Sequence, residues 1–211
     1  MKTTLILSLG ALAAAAMTAR AGTDASYGGP AVGGGGVAPV SSNISYNLLE
    51  VNWLHTEWDI AGIDSSDGVG LNLSYSPVQS LYLTAGGSWQ SVDTARDSAD
   101  LWTANVGVGG YLPLTSNIHF VTEVGAAFYG FDNSPIGSDD ESSLYVRPHF
   151  RGRWGNFEAH AGAAWTNADI TNEWAGFGRL YFGITPNWDL AAGISAGKNE
   201  TTVNAGVRFR Y

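Results

Sequence analysis

Charged residues in the second half of this 211-residue sequence recur at alternate positions, so that they share one face of an extended chain. Arg147, Arg151 and Arg153 form one such row, and glutamates stand at similar places in other stretches. Guanidinium and carboxylate groups in this arrangement can pair and fill a narrow interior, or line a water-filled path for ions. We expect them to form one lumen charge network, composed of Glu50, Glu123, Arg147, Arg151, Arg179 and Arg208.

Catalysis would need a nucleophile beside an oriented base, and the histidines offer little of this. His55 shares a face with Glu57, but Trp53 and Glu57 occupy the positions where a partner serine would stand. The sequence has no cysteine and no spacing typical of a calcium loop. We therefore predict no catalytic residues, no metal site and no cofactor. The other histidines, which we expect inside the fold or near a turn, are His119, His149 and His160.

The elements that must position these residues have a period of two rather than 3.6, which is typical of strands. Charged residues make up only 14% of the chain, against about 25% in ordinary domains, yet its mean hydropathy is −0.02. Alternation reconciles the two values, because the hydropathies of the apolar and polar residues in one strand cancel in the mean. Ten alternating segments are predicted, at 44–58, 67–76, 80–92, 101–112, 117–130, 142–155, 157–167, 175–185, 188–197 and 201–211.

The connections between these segments alternate between short turns and longer acidic loops. The short ones are 76–79, 113–117, 155–156 and 185–187, whereas the long ones are 59–67, 93–100, 131–141 and 168–174. Aromatic residues form two bands near the segment ends, with small residues such as Ala161 and Ala192 between them. This arrangement is typical of transmembrane barrels. We predict an all-β fold, an antiparallel up-and-down transmembrane β-barrel of ten strands, with eight strands as the alternative.

Residues 1–21 are predicted to be a secretory signal peptide. Lys2 precedes an apolar run over residues 5–17, and Ala19-Arg20-Ala21 forms a cleavage site, so cleavage is expected after Ala21. Residues 22–42 are rich in glycine and proline and are predicted to be a flexible periplasmic leader. No Gly-Lys-Ser or Gly-Lys-Thr follows their glycine run, which argues against a phosphate-binding loop. The predicted barrel spans residues 43–211.

From residue 43 onward the chain resembles bacterial outer-membrane β-barrel proteins of the small OmpA/OmpX-like or porin-like kinds. The resemblance rests on the signal peptide, the alternating segments and the last strand, residues 203–211. It implies that the barrel-assembly machinery reads the alternate apolar residues Val207, Phe209 and Tyr211 as its signal. It leaves the function open, because such barrels include scaffolds, adhesins, narrow pores and lipid-modifying enzymes.

The distribution of charge favours a scaffold among these functions. The net charge is −9, yet most acidic residues fall in predicted loops, while the inward positions are mildly basic. Unpaired charges are costly in a narrow interior, so we expect them to pair and largely plug the lumen. We predict a non-enzymatic, monomeric outer-membrane scaffold that contacts membrane lipid and lipopolysaccharide, and no nucleic acid. A narrow porin-like channel is the first alternative, and a lipid-modifying enzyme is the second.

Overall fold

The computed structural model describes residues 44–60, 63–94, 98–132, 140–167 and 174–211. Within these ranges every regular element is a strand, and no helix is long and apolar enough to cross a membrane. The predicted signal peptide and leader lie outside the described residues. The strands are β1 (Leu48–Ile60), β2 (Ile63–Val78), β3 (Leu81–Thr94), β4 (Ser98–Pro113), β5 (Ile118–Asp132), β6 (Asp140–Trp154), β7 (Phe157–Thr166), β8 (Trp174–Gly183), β9 (Trp188–Ala196) and β10 (Glu200–Arg210).

The ten strands form a closed antiparallel barrel. Each pairs with its neighbours in the sequence, and β1 pairs with β10 in a register that joins Leu48 to Arg210 and Trp58 to Glu200. Closure leaves no free strand edge, because every strand has a hydrogen-bonded neighbour on both sides. The prediction of an up-and-down barrel of ten strands is confirmed, and the eight-stranded alternative is wrong. We call the end with the β2–β3, β4–β5, β6–β7 and β8–β9 connections the short-turn end.

The outer surface of the barrel is apolar and the interior is polar. Along β1, Val51 and Trp53 are about half exposed on the outside, whereas Asn52 and Thr56 are only 1% exposed. The same alternation recurs in the other strands because side chains of successive residues point to opposite faces. So large an exposed apolar surface is unfavourable in water and suits contact with lipid.

Two of the four predicted long loops are wrong, because the strands continue into them. Only residues 61–62 separate β1 from β2, and only residues 95–97 separate β3 from β4. Polar groups hold the extended ladder together: Trp58 donates from Nε1 to Ser66 Oγ at 3.1 Å, and Ser66 Oγ donates to Gln90 Oε1 at 3.0 Å. A hydrophobic period cannot reveal such strand ends, since polar residues occupy both faces there.

The boundaries at the short-turn end also differ from the prediction. The expected turn at 76–79 begins later, because β2 continues to Val78 through an irregularity in its pairing with β3. Conversely, β1 begins at Leu48 rather than at residue 44. Residues 44–47, which we call the plug segment, leave the wall, and Ile44 and Tyr46 are buried among side chains that face the lumen. Alternation continues through this segment, so the pattern alone extended the strand too far.

Candidate functional site

Two ion pairs lie inside the barrel, one across the lumen and one between adjacent strands. Arg179 Nη1 donates to Glu50 Oε1 at 2.7 Å, although β9 and β10 lie between their strands. Arg147 Nη1 donates to Glu123 Oε2 at 3.1 Å between the adjacent strands β6 and β5. In each pair one guanidinium faces one carboxylate, so these two contacts leave no net charge.

A tyrosine completes each of these pairs. Tyr181 donates to Glu50 Oε2 at 3.0 Å, and Tyr82 donates to Glu123 Oε1 at 2.7 Å. Tyr82 lies on β3 and reaches β5 by passing over Gly109 of β4, where any Cβ would collide with the tyrosine ring. The sequence did not single out these tyrosines, because an inward tyrosine is equally typical of a space-filling residue. The signal that could have found Tyr82 is the glycine opposite it.

Replacing Gly109 with alanine is expected to lower the free energy of unfolding by about 1–3 kcal/mol, since the new methyl group displaces the Tyr82 ring. Unfolding in urea, followed by tryptophan fluorescence of the protein in micelles, measures this change. Gly110→Ala is the matched control, because its methyl group would make only ordinary contacts. Equal stability of the two variants would contradict the assigned position of Tyr82.

A larger group of charges surrounds Glu158 near the short-turn end. Glu158 Oε1 accepts from Arg151 Nε and Arg208 Nη1, both at 2.8 Å, and Glu158 Oε2 accepts from Arg153 Nη1 at 3.2 Å. His160 Nε2 also lies 2.8 Å from Glu158 Oε1. One carboxylate therefore serves three guanidinium groups. The strand register explains why Arg151 binds Glu158 rather than Glu123. Glu158 on β7 is diagonal to Arg151, whereas Glu123 on β5 stands opposite Arg147.

Asp189 extends this group to the last residues of β10. Arg208 Nε donates to Asp189 Oδ2 at 2.8 Å, and Arg210 Nη2 lies 3.0 Å from Asp189 Oδ1. We call Arg151, Arg153, Glu158, Asp189, Arg208 and Arg210 the basic cluster, which sets four guanidinium groups against two carboxylates. The predicted network is thus divided: Arg151 and Arg208 belong to this cluster, and the other four residues belong to the two lumen pairs.

The plug segment packs against the basic cluster from inside the barrel. The Tyr46 ring stacks on Tyr111 at 4.1 Å and on Tyr82 at 4.8 Å between ring centroids. The Arg151 guanidinium lies 4.5 Å from the Tyr46 ring centroid, and its Nη2 donates to the Ser45 carbonyl oxygen at 2.6 Å. The segment therefore touches β3, β4 and β6 and joins their side chains across the lumen.

Burial shows that this end of the lumen is filled. Arg208 and His119 are 0% exposed and Glu158 is 1% exposed, although all three face the inside of the barrel. The side chain of Arg147 is 39% exposed, and that of Arg179 is 29% exposed. Solvent thus reaches the arginines of the two lumen pairs, whereas Glu50 and Glu123 are buried, as is the interior of the basic cluster.

His55 lies on the outer surface, and its carboxylate partner is Asp67 rather than Glu57, which the sequence suggested. Its Nδ1 is 3.1 Å from Asp67 Oδ1, and its ring stacks on Trp53. In the part of the chain that the structure describes, no serine hydroxyl forms a hydrogen bond with His55. Nor do the described residues contain a group of three side chains able to hold a metal ion.

The three residues expected to act as an assembly signal lie at the end of β10 and just beyond it. Val207 is 40% exposed on the outer surface. Phe209 packs against Trp188 with ring centroids 4.9 Å apart, and Tyr211 donates from its hydroxyl to the Ser74 carbonyl oxygen. An apolar, outward row is therefore available for recognition, and its role in assembly stays a prediction.

No family model matches this sequence. No curated protein matches it either. The solved structures that resemble the barrel are bacterial outer-membrane β-barrels. The NanC porin is 9% identical with a TM-score of 0.49, over 77% of this chain and 100% of that one. The N-terminal β-barrel domain of Pseudomonas aeruginosa OprF is 13% identical with a TM-score of 0.39, over 79% and 98%. Outer membrane phospholipase A from Escherichia coli is 12% identical with a TM-score of 0.44, over 79% and 91%.

Proposed function

We propose that this protein is a membrane-spanning scaffold of the Gram-negative outer membrane, with a lumen closed at its short-turn end. The observation that carries the proposal is the burial of lumen-facing ions. In a water-filled channel Arg208 and Glu158 would be exposed, yet they are 0% and 1% exposed. An ion passes only where it keeps its hydration water or finds polar groups that replace that water. A barrel filled in this way therefore anchors rather than conducts.

The outer surface supports the membrane location. Trp89 and Trp174 are more than half exposed near the end opposite the short turns, and Trp154 and Trp188 are exposed near the short-turn end. Tryptophan is enriched at both membrane–water interfaces because its ring is amphipathic. In the proposed orientation the short-turn end faces the periplasm. The barrel is a monomer in contact with lipid and lipopolysaccharide, and it binds no nucleic acid.

Two alternatives make different use of the same residues. A narrow channel would use the pairs Arg147–Glu123 and Arg179–Glu50, and the partly exposed arginine side chains are the observation in its favour. A lipid-modifying enzyme would use His55, which faces the lipid and has a carboxylate partner. Ser65 and Thr201 stand opposite Glu57 on the same face, but among the described residues no serine or threonine hydroxyl forms a hydrogen bond with His55, which argues against the enzyme.

Electrical recording of the refolded protein tests the scaffold proposal. We expect a heat-modifiable band on gels, which reports the closed barrel, and no discrete conductance steps in planar lipid bilayers. A conducting porin, reconstituted in the same way, is the positive control. Steps in the wild-type protein that change in Arg147→Gln would overturn the proposal in favour of the channel.

The enzyme alternative has a separate readout. Vesicles that contain lipopolysaccharide are incubated with the wild-type protein and with His55→Ala, and the mass of the extracted lipid is measured. We expect unchanged lipid masses with both proteins. A mass change that is lost in His55→Ala would establish the enzyme and contradict the scaffold.

A further inference from the structure

A cavity of about 430 Å³ opens at the short-turn end of the barrel. It is lined by Asn117, Arg153, Gly155 and Arg210. Its volume lies within the range of roughly 300–1,000 Å³ that is usual for small-molecule sites. Among the residues that the structure describes, the lining contains two guanidinium groups and no carboxylate, so the cavity suits an anion.

The charges behind this lining strengthen its preference for anions. The two lumen pairs are balanced, whereas the basic cluster has four guanidinium groups and two carboxylates, so the positive excess lies at this end. Glu158 is shared among Arg151, Arg153 and Arg208 and cannot neutralise all three. Burial reduces screening by water, which raises the positive potential where the cavity meets solvent.

The two lining arginines also keep donors for a ligand. Arg153 holds Glu158 through Nη1 alone, and Arg210 holds Asp189 and the Thr185 carbonyl oxygen through Nη2. Arg210 Nε is buried and, among the described residues, has no hydrogen-bond partner. A buried donor without an acceptor is unfavourable, and an anion in the cavity would reach this one only if the Arg210 side chain shifted towards it.

The turn between β6 and β7 leaves room for this ligand. Gly155 has a φ of 59°, which disfavours other residues, and a Cβ built on it would meet nothing within 4 Å. The space on the side of Gly155 where a side chain would stand is therefore open. Arg153 N also donates to the Asn117 carbonyl oxygen at 2.9 Å, which ties the walls of the cavity together.

We propose that this cavity binds a phosphate group of a soluble ligand, held between the guanidinium groups of Arg153 and Arg210. Guanidinium groups match the geometry of phosphate oxygens and bind them bidentately. A free solute is favoured over a lipid headgroup because the arginines face the inside of the barrel, while acyl chains lie against its outer wall. The site does not depend on whether the lumen conducts.

Calorimetric titration of the refolded full chain tests the site. The protein is held in maltoside micelles free of phosphate, and inorganic phosphate and pyrophosphate are the probes. We expect saturable binding of at least one probe, and a loss of affinity of about tenfold or more in Arg153→Gln and in Arg210→Gln. Arg153→Lys, which keeps the charge but loses the bidentate donors, is expected to weaken binding as well.

Two control variants lose one positive charge, as Arg153→Gln does, but at positions outside the cavity. They show whether phosphate binds at a local site or is attracted only by the overall charge of the protein. Lys198→Gln removes a positive charge from the opposite end, and Arg147→Gln removes one from a lumen pair; both should bind within about twofold of wild type. Gel mobility confirms that each variant is folded. No saturable binding by the wild type, or equal losses in Arg147→Gln and Arg153→Gln, would overturn the site. Binding of phosphatidylglycerol vesicles but not of free phosphate would assign it to lipid and overturn the soluble ligand.

Discussion

Glu158→Gln is expected to lower the free energy of unfolding by about 3–5 kcal/mol, which is the usual cost of removing one partner from a buried ion pair. Glutamine has nearly the shape of glutamate, so the loss is electrostatic. Arg151 and Arg208, whose side chains are 3% and 0% exposed, would lose the carboxylate that they share. The amide nitrogen of glutamine would in addition face a guanidinium group and repel it.

Denaturant unfolding in micelles measures the effect of Glu158→Gln, in a buffer free of phosphate so that no anion replaces the carboxylate. Glu57→Gln is the matched control, because it removes the same charge from an exposed position on β1. We expect the free energy of unfolding of this control to lie within about 0.5 kcal/mol of the wild-type value. If the two variants were equally stable, Glu158 would not be the centre of the basic cluster.

Tyr46→Ala is expected to open a conducting path through the barrel. The ring of Tyr46 fills the space between Tyr82, Tyr111 and the Arg151 guanidinium, and only the plug segment brings it there. Its removal leaves a cavity beside charged side chains, which water can enter. We expect discrete conductance steps in planar bilayers, where we expect none from the wild-type protein. We also expect the free energy of unfolding to fall by about 3–5 kcal/mol.

Tyr46→Phe separates the ring from its hydroxyl group. This variant keeps the stacking but loses the hydrogen bond between Tyr46 and His119 Nδ1, which is 2.9 Å long. We expect it to remain closed and to lose only about 1 kcal/mol of stability. If neither Tyr46→Ala nor Tyr46→Phe gave conductance steps, the Tyr46 ring would not be part of the closure, and the basic cluster alone would fill the lumen.

The membrane-facing part of the fold was predictable because lipid and lumen impose opposite demands on adjacent residues. Val203 and Val207 lie outward and Arg208 inward in the structure, as alternation required. Where both faces are polar this constraint ends. Alternation therefore missed the extension of β2 back to Ile63 and of β4 back to Ser98.

The charged interior was predictable in composition but not in pairing. Alternation placed the six charged residues at inward positions, and strand adjacency suggested Glu123 with Arg147 or Arg151. Register decides between these partners, and it also brings Arg179 to Glu50 across two intervening strands. Such contacts depend on barrel closure, which no local pattern describes.

The sequence by itself determined the ten strands, their outward and inward faces and the basic character of the interior. Each follows from local chemistry, because a side chain meets either lipid or lumen. Only the tertiary structure decided that Tyr46 enters the lumen, that one carboxylate serves three arginines and that the excess charge lies at the short-turn end. These features join residues far apart in the chain, and their geometry exists only once β1 has paired with β10.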